Sequence, residues 1–297
     1  MQLKAKLSEL NDLLNHKHFS SMVSDASISY EEWLSSHQPF HWLAEYYHIM
    51  HSNGGFDVII GNPPYVKYKR EKCAYSIKNY ITESCGNLYA FCMERSYTLS
   101  KTAIVGMIIP LSSICAKNMD KLRNIVCKYD SWVSSFEIRP SKLFEGVDQR
   151  VSILITNNLC NNQTLSTAIM RWDTECRKIL FKQLYYSLTV TEERIWRFSN
   201  IKELSIYKKF CTHHSIAKEI SNEGNNYIHY RSAGLRYWII FLLSEFGTDS
   251  LSNKKIKFEN KEVSQAIMAG LNSNLFWWYY STNYDMFNLT ESNITEF

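Results

Sequence analysis

"GGFDVIIGNPPYV", residues 54–66, is the stretch on which the reading of this chain turns. An apolar run, Phe56 to Ile60, lies between glycines and stops at Asn62, two prolines and Tyr65. A short unbroken apolar run suits a strand buried on both faces, as in a parallel sheet. Gly54-Gly55 breaks the chain ahead of it. In open α/β sheets, ligands bind outside the carboxyl ends of the strands, and Asn62 to Tyr65 follow such an end. Proline fixes its φ and has no N–H, so Pro63-Pro64 form a stiff corner rich in carbonyls and poor in donors. Asn62 adds an amide oxygen and Tyr65 a flat face.

Acceptors beside a flat wall suit a planar molecule with an exocyclic amine, such as adenine. The Asn62 side-chain oxygen and the Pro63 carbonyl can hold its two hydrogens. That draws the nitrogen toward tetrahedral geometry and frees its lone pair to attack an electrophilic methyl. The contribution is positioning and electrostatics rather than general-base chemistry. In duplex DNA the base has to leave the stack, and Tyr65 replaces part of the stacking lost. The competing explanation is an ordinary strand-ending turn, and placement directly after FDVIIG weighs against it.

Composition sets the frame. The chain has 297 residues, 45% hydrophobic and 21% charged, so it is globular rather than disordered. Aromatics make up 14%, which implies either a well-filled core or a surface for stacking on bases. A net charge of +4 permits a nucleic-acid partner without requiring one. The eight cysteines show no zinc spacing, so no metal site is expected. No apolar run approaches the ~20 residues of a membrane span, and no signal peptide is visible. A reducing cytoplasm with free thiols follows, and sequons such as Asn288-Leu289-Thr290 are chance matches.

Periodicity organises the rest. Leu3, Leu7, Leu10 and Leu14 predict a first amphipathic helix. The aromatic stretch from Tyr30 to Asn53 packs somewhere that period alone does not place. Helices are predicted in NLYAFCMERSYTLSK (87–101) and NMDKLRNIVCKY (118–129), and a buried strand in AIVGMIIP (103–110). SSFEIRP (134–140) and RVSILITNN (150–158) predict a final strand pair. Strand, helix, strand, helix, strand, strand is half of a doubly wound α/β sheet. After about residue 160 the texture changes and a second, α+β module is expected, ending in one aromatic-rich helix over 261–283.

GGFDVIIGNPPYV resembles motif IV of the amino-group DNA methyltransferases, specifically the gamma-type adenine-N6 enzymes to which large single-chain restriction–modification enzymes belong. HQPFHWLAEYYHIMHSNGGFD resembles the lead-in, NLYAFCMERSYTLSK the following helix, and IVGMIIPLSS the next strand and its end. FEIRPSKLFEGVDQRVSILI resembles the aromatic-containing motif before the closing strand. GNNYIHYRSAGLRYWI and the last stretch, from Leu271, resemble parts of a target-recognition region. The resemblance covers about residues 38 to 297.

It implies a partial Rossmann-like class I methyltransferase sheet followed by an α+β target-recognition module. By position, Asn62, Pro63 and Tyr65 match the catalytic residues and Pro64 shapes the loop. Phe144 falls where the family places an aromatic against the flipped base, an ordinary core phenylalanine being the alternative. S-adenosylmethionine is the implied donor, met by this stretch only through Asn62, on the methyl side. The family holds it with an F-x-G-x-G turn and an acidic strand end ahead of motif IV, where glycines allow close backbone approach. No glycine precedes Gly54 here. The first 53 residues cannot hold three strands with crossovers of about 30 residues each. The donor-binding half is therefore expected from elsewhere: the chain is a fragment of a truncated gene, or one part of a split enzyme with a second chain, or helices before residue 54 replace that half.

Several further residues are weighed. His213-His214 do not converge and are expected at the surface. Lys208 and Lys209, with Lys202 and Lys218, either contact phosphate or form a solvated helix face. Arg231 and Arg236 lie in an aromatic-rich segment that a recognition region would present to DNA. No P-loop is present.

The expected organisation is a helical, aromatic lead-in (1–53), a catalytic half-sheet (54–160) and a DNA-binding recognition region (161–297). The expected activity is methyl transfer to adenine N6 in double-stranded DNA, in restriction–modification or phage defence. Two alternatives stay open: a methyltransferase acting on RNA or on protein glutamine, and a DNA-binding remnant or specificity subunit without activity. A cut sheet also leaves an apolar strand edge, which invites association.

Overall fold

The computed structural model describes all residues except 1, 23–27, 70, 72, 74–75, 159–160 and 235–238. The elements run α1 (Gln2–Met22), α2 (Tyr30–His37), α3 (Trp42–Glu45), α4 (Tyr47–Ser52), β1 (Val58–Gly61), α5 (Leu88–Leu99), β2 (Ile104–Pro110), α6 (Ser112–Cys115), α7 (Asp120–Val126), β3 (Asp130–Phe136), β4 (Val151–Asn157) and β5 (Thr164–Met170). They continue with β6 (Ser187–Leu188), α8 (Lys202–Phe210), β7 (Asn226–Arg231), β8 (Asn253–Phe258), α9 (Lys261–Leu271), α10 (Asn274–Asn283) and α11 (Glu291–Thr295).

Six strands form one sheet in the order β1-β2-β4-β3-β5-β6, and β7 and β8 form a separate pair. β1 runs parallel to β2, with Val58 opposite Ile104 and Gly61 opposite Met107. The Leu111 N–H donates to the Arg150 carbonyl at 2.8 Å, so the end of β2 meets the start of β4 and the two run in opposite senses. Between β3 and β5, Ser131 N–H reaches the Gln163 carbonyl and Glu137 N–H the Met170 carbonyl, at 2.8 and 2.9 Å. Those partners advance together, as in a parallel pair. With β6 antiparallel to β5, the sheet is mixed and mostly parallel, in an α/β chain. The sheet passes residue 160, because β5 and β6 belong to it.

The chain divides into two compact units: 1–109 with 118–131 and 153–163, and 110–117 with 132–152 and 164–297. In the first unit, α1 to α4 precede the sheet. Ser29 and Glu32 cap α2 reciprocally, with the Glu32 N–H donating to Ser29 Oγ and the Ser29 N–H to the Glu32 carboxylate. The aromatic lead-in packs on itself: His16 stacks on Tyr30 at 3.9 Å, and Trp33 is buried. In α5, Tyr89, Ala90, Phe91, Met93, Glu94 and Tyr97 are buried round most of the helix, and Cys92 is exposed.

β1 corrects the sequence expectation most sharply. A strand buried on both faces was expected, yet β1 is the edge strand, with Val58 53% and Ile60 79% exposed. An apolar run records that a surface is suited to being covered. It does not record whether the same chain supplies the cover.

In the second unit many aromatics are core, while Phe181, Tyr185, Trp277 and Phe287 are exposed. Trp196, Phe198, Tyr230, Phe241, Phe258, Phe276, Tyr279 and Tyr280 are all buried in one cluster. Each such ring removes about 150–250 Å² from water, which accounts for much of the aromatic richness. The single helix expected over 261–283 is two, α9 and α10, divided at Asn272-Ser273. Asn272 bonds both the N–H and the carbonyl of Phe241, at 3.1 and 2.9 Å, and Ser273 Oγ caps α10.

Candidate functional site

The corner after β1 is set from both ends. Before it, Gly55 takes φ +127°, and a Cβ there would lie 2.7 Å from the Leu99 carbonyl oxygen, so only glycine lets the chain pass the end of α5 at this distance. After it, the Leu88 N–H donates to the Val66 carbonyl and the Tyr68 N–H to the Gly86 carbonyl, each at 2.9 Å. Buried Glu94 accepts from the Ile81 N–H, the Thr82 N–H and the Thr82 hydroxyl at 2.9, 2.8 and 2.7 Å, tying this return segment to α5.

Within the corner, Asn62 and Pro64 are exposed, Pro63 is buried and Tyr65 is half-buried. The Tyr65 hydroxyl donates to Asn62 Oδ1 at 2.7 Å and lies 3.2 Å from the Ile108 carbonyl on β2. Tyr89 meets the Tyr65 ring edge-on, with centroids 6.4 Å apart. Burial pushes the Tyr65 phenol up to about 12, so it keeps its proton and donates at neutral pH. An amide oxygen has two lone pairs. Tyr65 occupies one, fixes which way the Asn62 amide faces, and leaves the other for an incoming donor. Tyr65 was read from sequence for its ring alone. The hydroxyl bond, Ile108, Tyr89 and Glu94 were not anticipated, since each depends on a residue distant in sequence or on side-chain direction.

The other singled-out residues that are described belong to the second unit. Phe144 lies in the β3–β4 loop of the second unit and is half-buried. Lys208 and Lys209 are exposed on the last turn of α8. Arg231, on β7, donates to Asn253 Oδ1 and Thr248 Oγ1 at 3.2 and 2.6 Å and lies over the Phe246 ring. Arg236 falls outside the described residues. His214 is exposed, with Nδ1 2.9 Å from Lys218 Nζ. Among the described residues no three His, Cys, Asp or Glu side chains gather as a metal site, and no helix is long and apolar enough to cross a membrane.

The described residues do not form a cradle for S-adenosylmethionine. The segment before β1 folds as helices α1 to α4. No described strand pairs with the outer edge of β1, beside which the corner lies. The glycine-lined turn the family uses has no counterpart ahead of Gly54.

The family model of the Eco57I restriction-modification methylase matches residues 2–144. The match contains the Asn62–Tyr65 corner and begins well before residue 38, taking in the N-terminal helices. Three solved protein–DNA complexes are among the similar structures. The cryo-electron microscopy structure of the DrdV–DNA complex is 16% identical over 46% of this chain and 17% of that one, with a TM-score of 0.37. The ATP-dependent type ISP enzyme LlaBIII bound to DNA is 16% identical over 60% and 14%, with a TM-score of 0.35. A nuclease-deletion mutant of the type ISP enzyme LlaGI with a DNA substrate mimic is 13% identical over 60% and 21%, with a TM-score of 0.37. The chain thus spans about a fifth or less of the length of these structures. No curated protein matches it.

Proposed function

We propose that this chain is the acceptor-binding part of a gamma-type DNA methyltransferase that modifies adenine N6 in double-stranded DNA. The observation that carries the reading is the exposed Asn62–Tyr65 corner at the carboxyl end of β1, inside the region matched by the methylase family model. The Asn62 oxygen and the Pro63 carbonyl hold the amine hydrogens, Pro64 stiffens the corner, and the Tyr65 ring stacks on the extruded base. Phe144 is assigned as a second wall for that base. The second unit carries the DNA contacts, with Lys208, Lys209 and Arg231 among the candidates. S-adenosylmethionine, when bound, supplies the electrophilic methyl, and a second polypeptide segment supplies its site. The open edge of β1, with Ile60 79% exposed, supports that division.

In an enzyme reconstituted with that segment, Asn62→Ala abolishes methyl transfer to adenine, read by mass spectrometry of digested DNA, and leaves DNA binding largely intact. Full activity in Asn62→Ala overturns the assignment. The same open edge favours a second reading, a DNA-binding remnant that transfers nothing. Calorimetry separates the isolated chain's own capacity: micromolar binding of S-adenosylmethionine by this chain alone would contradict the split-site reading.

A further inference from the structure

We infer that the outer face of the β7–β8 hairpin is the surface through which the second unit contacts the phosphate backbone of duplex DNA. The inference rests on the DNA reading above and adds Lys255 and Lys257 to Arg231, which that reading already names.

The two strands pair with Tyr227 opposite Lys257, His229 opposite Lys255 and Arg231 opposite Asn253. Directly opposed residues share a face, and these three pairs alternate with Ile228–Ile256, whose side chains are buried in the core. That face is largely covered, with Ile228, Tyr230, Ile256 and Phe258 buried and Lys254 exposed at its end. The other carries three cations, Arg231, Lys255 and Lys257, in a few residues of backbone. Among the described residues none of the three has a carboxylate within ion-pair distance. Other cations of the unit do meet carboxylates: Arg150 is matched by Glu137, and Lys117 and Arg194 by Glu296.

The cations are also held in place. Lys255 Nζ lies 4.6 Å from the centroid of Tyr227, and the Arg231 guanidinium lies 4.6 Å from that of Phe246. Lys257 Nζ donates to the Asn222 carbonyl at 2.7 Å, which uses one of its three donors. A cation resting on a ring has less side-chain freedom to lose when it binds. Beside this face opens a cleft of about 840 Å³, lined by Lys254, Lys255 and Phe246, with Glu245 and Asp249 on its loop wall.

Lys208 and Lys209 have an explanation that needs no ligand. They occupy the last turn of α8, where cations offset the partial negative charge of a helix C-terminus. With a chain net charge of only +4, a local cluster has to supply the attraction to a polyanion.

The test is fluorescence anisotropy of the full chain with a labelled mixed-sequence duplex of about thirty base pairs, across a potassium chloride series. Each lost phosphate contact lowers the slope of log K against log salt by about 0.9. Lys255→Gln with Lys257→Gln is expected to lower it by about two, and Lys208→Gln with Lys209→Gln to lower it less. Lys255→Arg with Lys257→Arg is expected to keep the wild-type slope. An unchanged slope in the first double variant overturns the inference, and so does failure of the arginine pair to keep it, since the loss is then structural. A wild-type chain with no salt-dependent duplex binding overturns the DNA reading itself, a different result from a wild type that binds through other residues.

Discussion

The Tyr65 hydroxyl sits 2.7 Å from the side-chain oxygen of Asn62, three residues away across two prolines. The bond fixes the orientation of the Asn62 amide, to which the proposed function assigns the substrate amine. A neutral hydrogen bond of this kind contributes about 0.5–1.5 kcal/mol. Tyr65→Phe keeps the ring and removes the bond, so the reconstituted enzyme should lose up to about tenfold in kcat with little change in KM. Tyr65→Ala should lose more and weaken binding of the extruded base. Equal rates for wild type and Tyr65→Phe would show the hydroxyl to be idle.

The edge of β1 yields a solution prediction. Val58 and Ile60 are more than half exposed on a strand paired on one side only. Edges of this kind template further pairing. Ile60→Lys should reduce self-association of the isolated chain, measured by light scattering over a concentration series. Its unfolding midpoint should stay within about 0.5 kcal/mol of wild type, as for other exposed positions. A monomer fraction that does not rise would show that this edge does not mediate association.

Glu94 holds the segment that returns the chain from the corner to α5. Its carboxylate accepts three hydrogen bonds while almost fully buried. Glu94→Ala leaves two backbone N–H groups and a hydroxyl without their acceptor, and each unsatisfied group costs about 1–3 kcal/mol. Urea denaturation should show a loss of about 3 kcal/mol or more, with Glu94→Gln falling between the two. A loss under about 1 kcal/mol would mean the segment finds other partners.

Glu296 gives the second unit a pH signature. Burial raises its carboxyl, but Lys117, Tyr284 and Arg194 outweigh burial and hold it below the usual value of 4.5. A carboxylate depressed in the folded state stabilises above its unfolded pKa, and that contribution fades as pH falls through the folded value. The stability gap between wild type and Glu296→Gln should therefore be constant at neutral pH and close below about pH 4.5. Denaturant titrations between about pH 3 and 7 measure it, and a gap that widens on acidification would reverse the sign argued here.

Some of this was legible before any fold was known. A stiff Asn-Pro-Pro-Tyr corner after an apolar run is a local property of the chain, because proline dihedrals and glycine breaks act within a few residues. The helices around residues 88–99 and 120–126 and the strands at 104–110 and 151–157 were visible for the same reason. β5 was not. Its Ser166 and Thr167 are polar, yet both are buried, accepting from the Phe198 and Ser135 N–H groups at 3.0 and 3.3 Å.

What the sequence by itself determined is where the chain must stiffen, turn and present acceptors, since those follow from bonded geometry and short-range period. Only the tertiary structure decided that β1 stands uncovered at an edge, that Trp196, Tyr230, Tyr279 and Tyr280 of the second unit are core, and that the Tyr65 hydroxyl reaches both Asn62 and Ile108. Those outcomes depend on which distant segments arrive beside a residue and which do not. No local pattern carries that information.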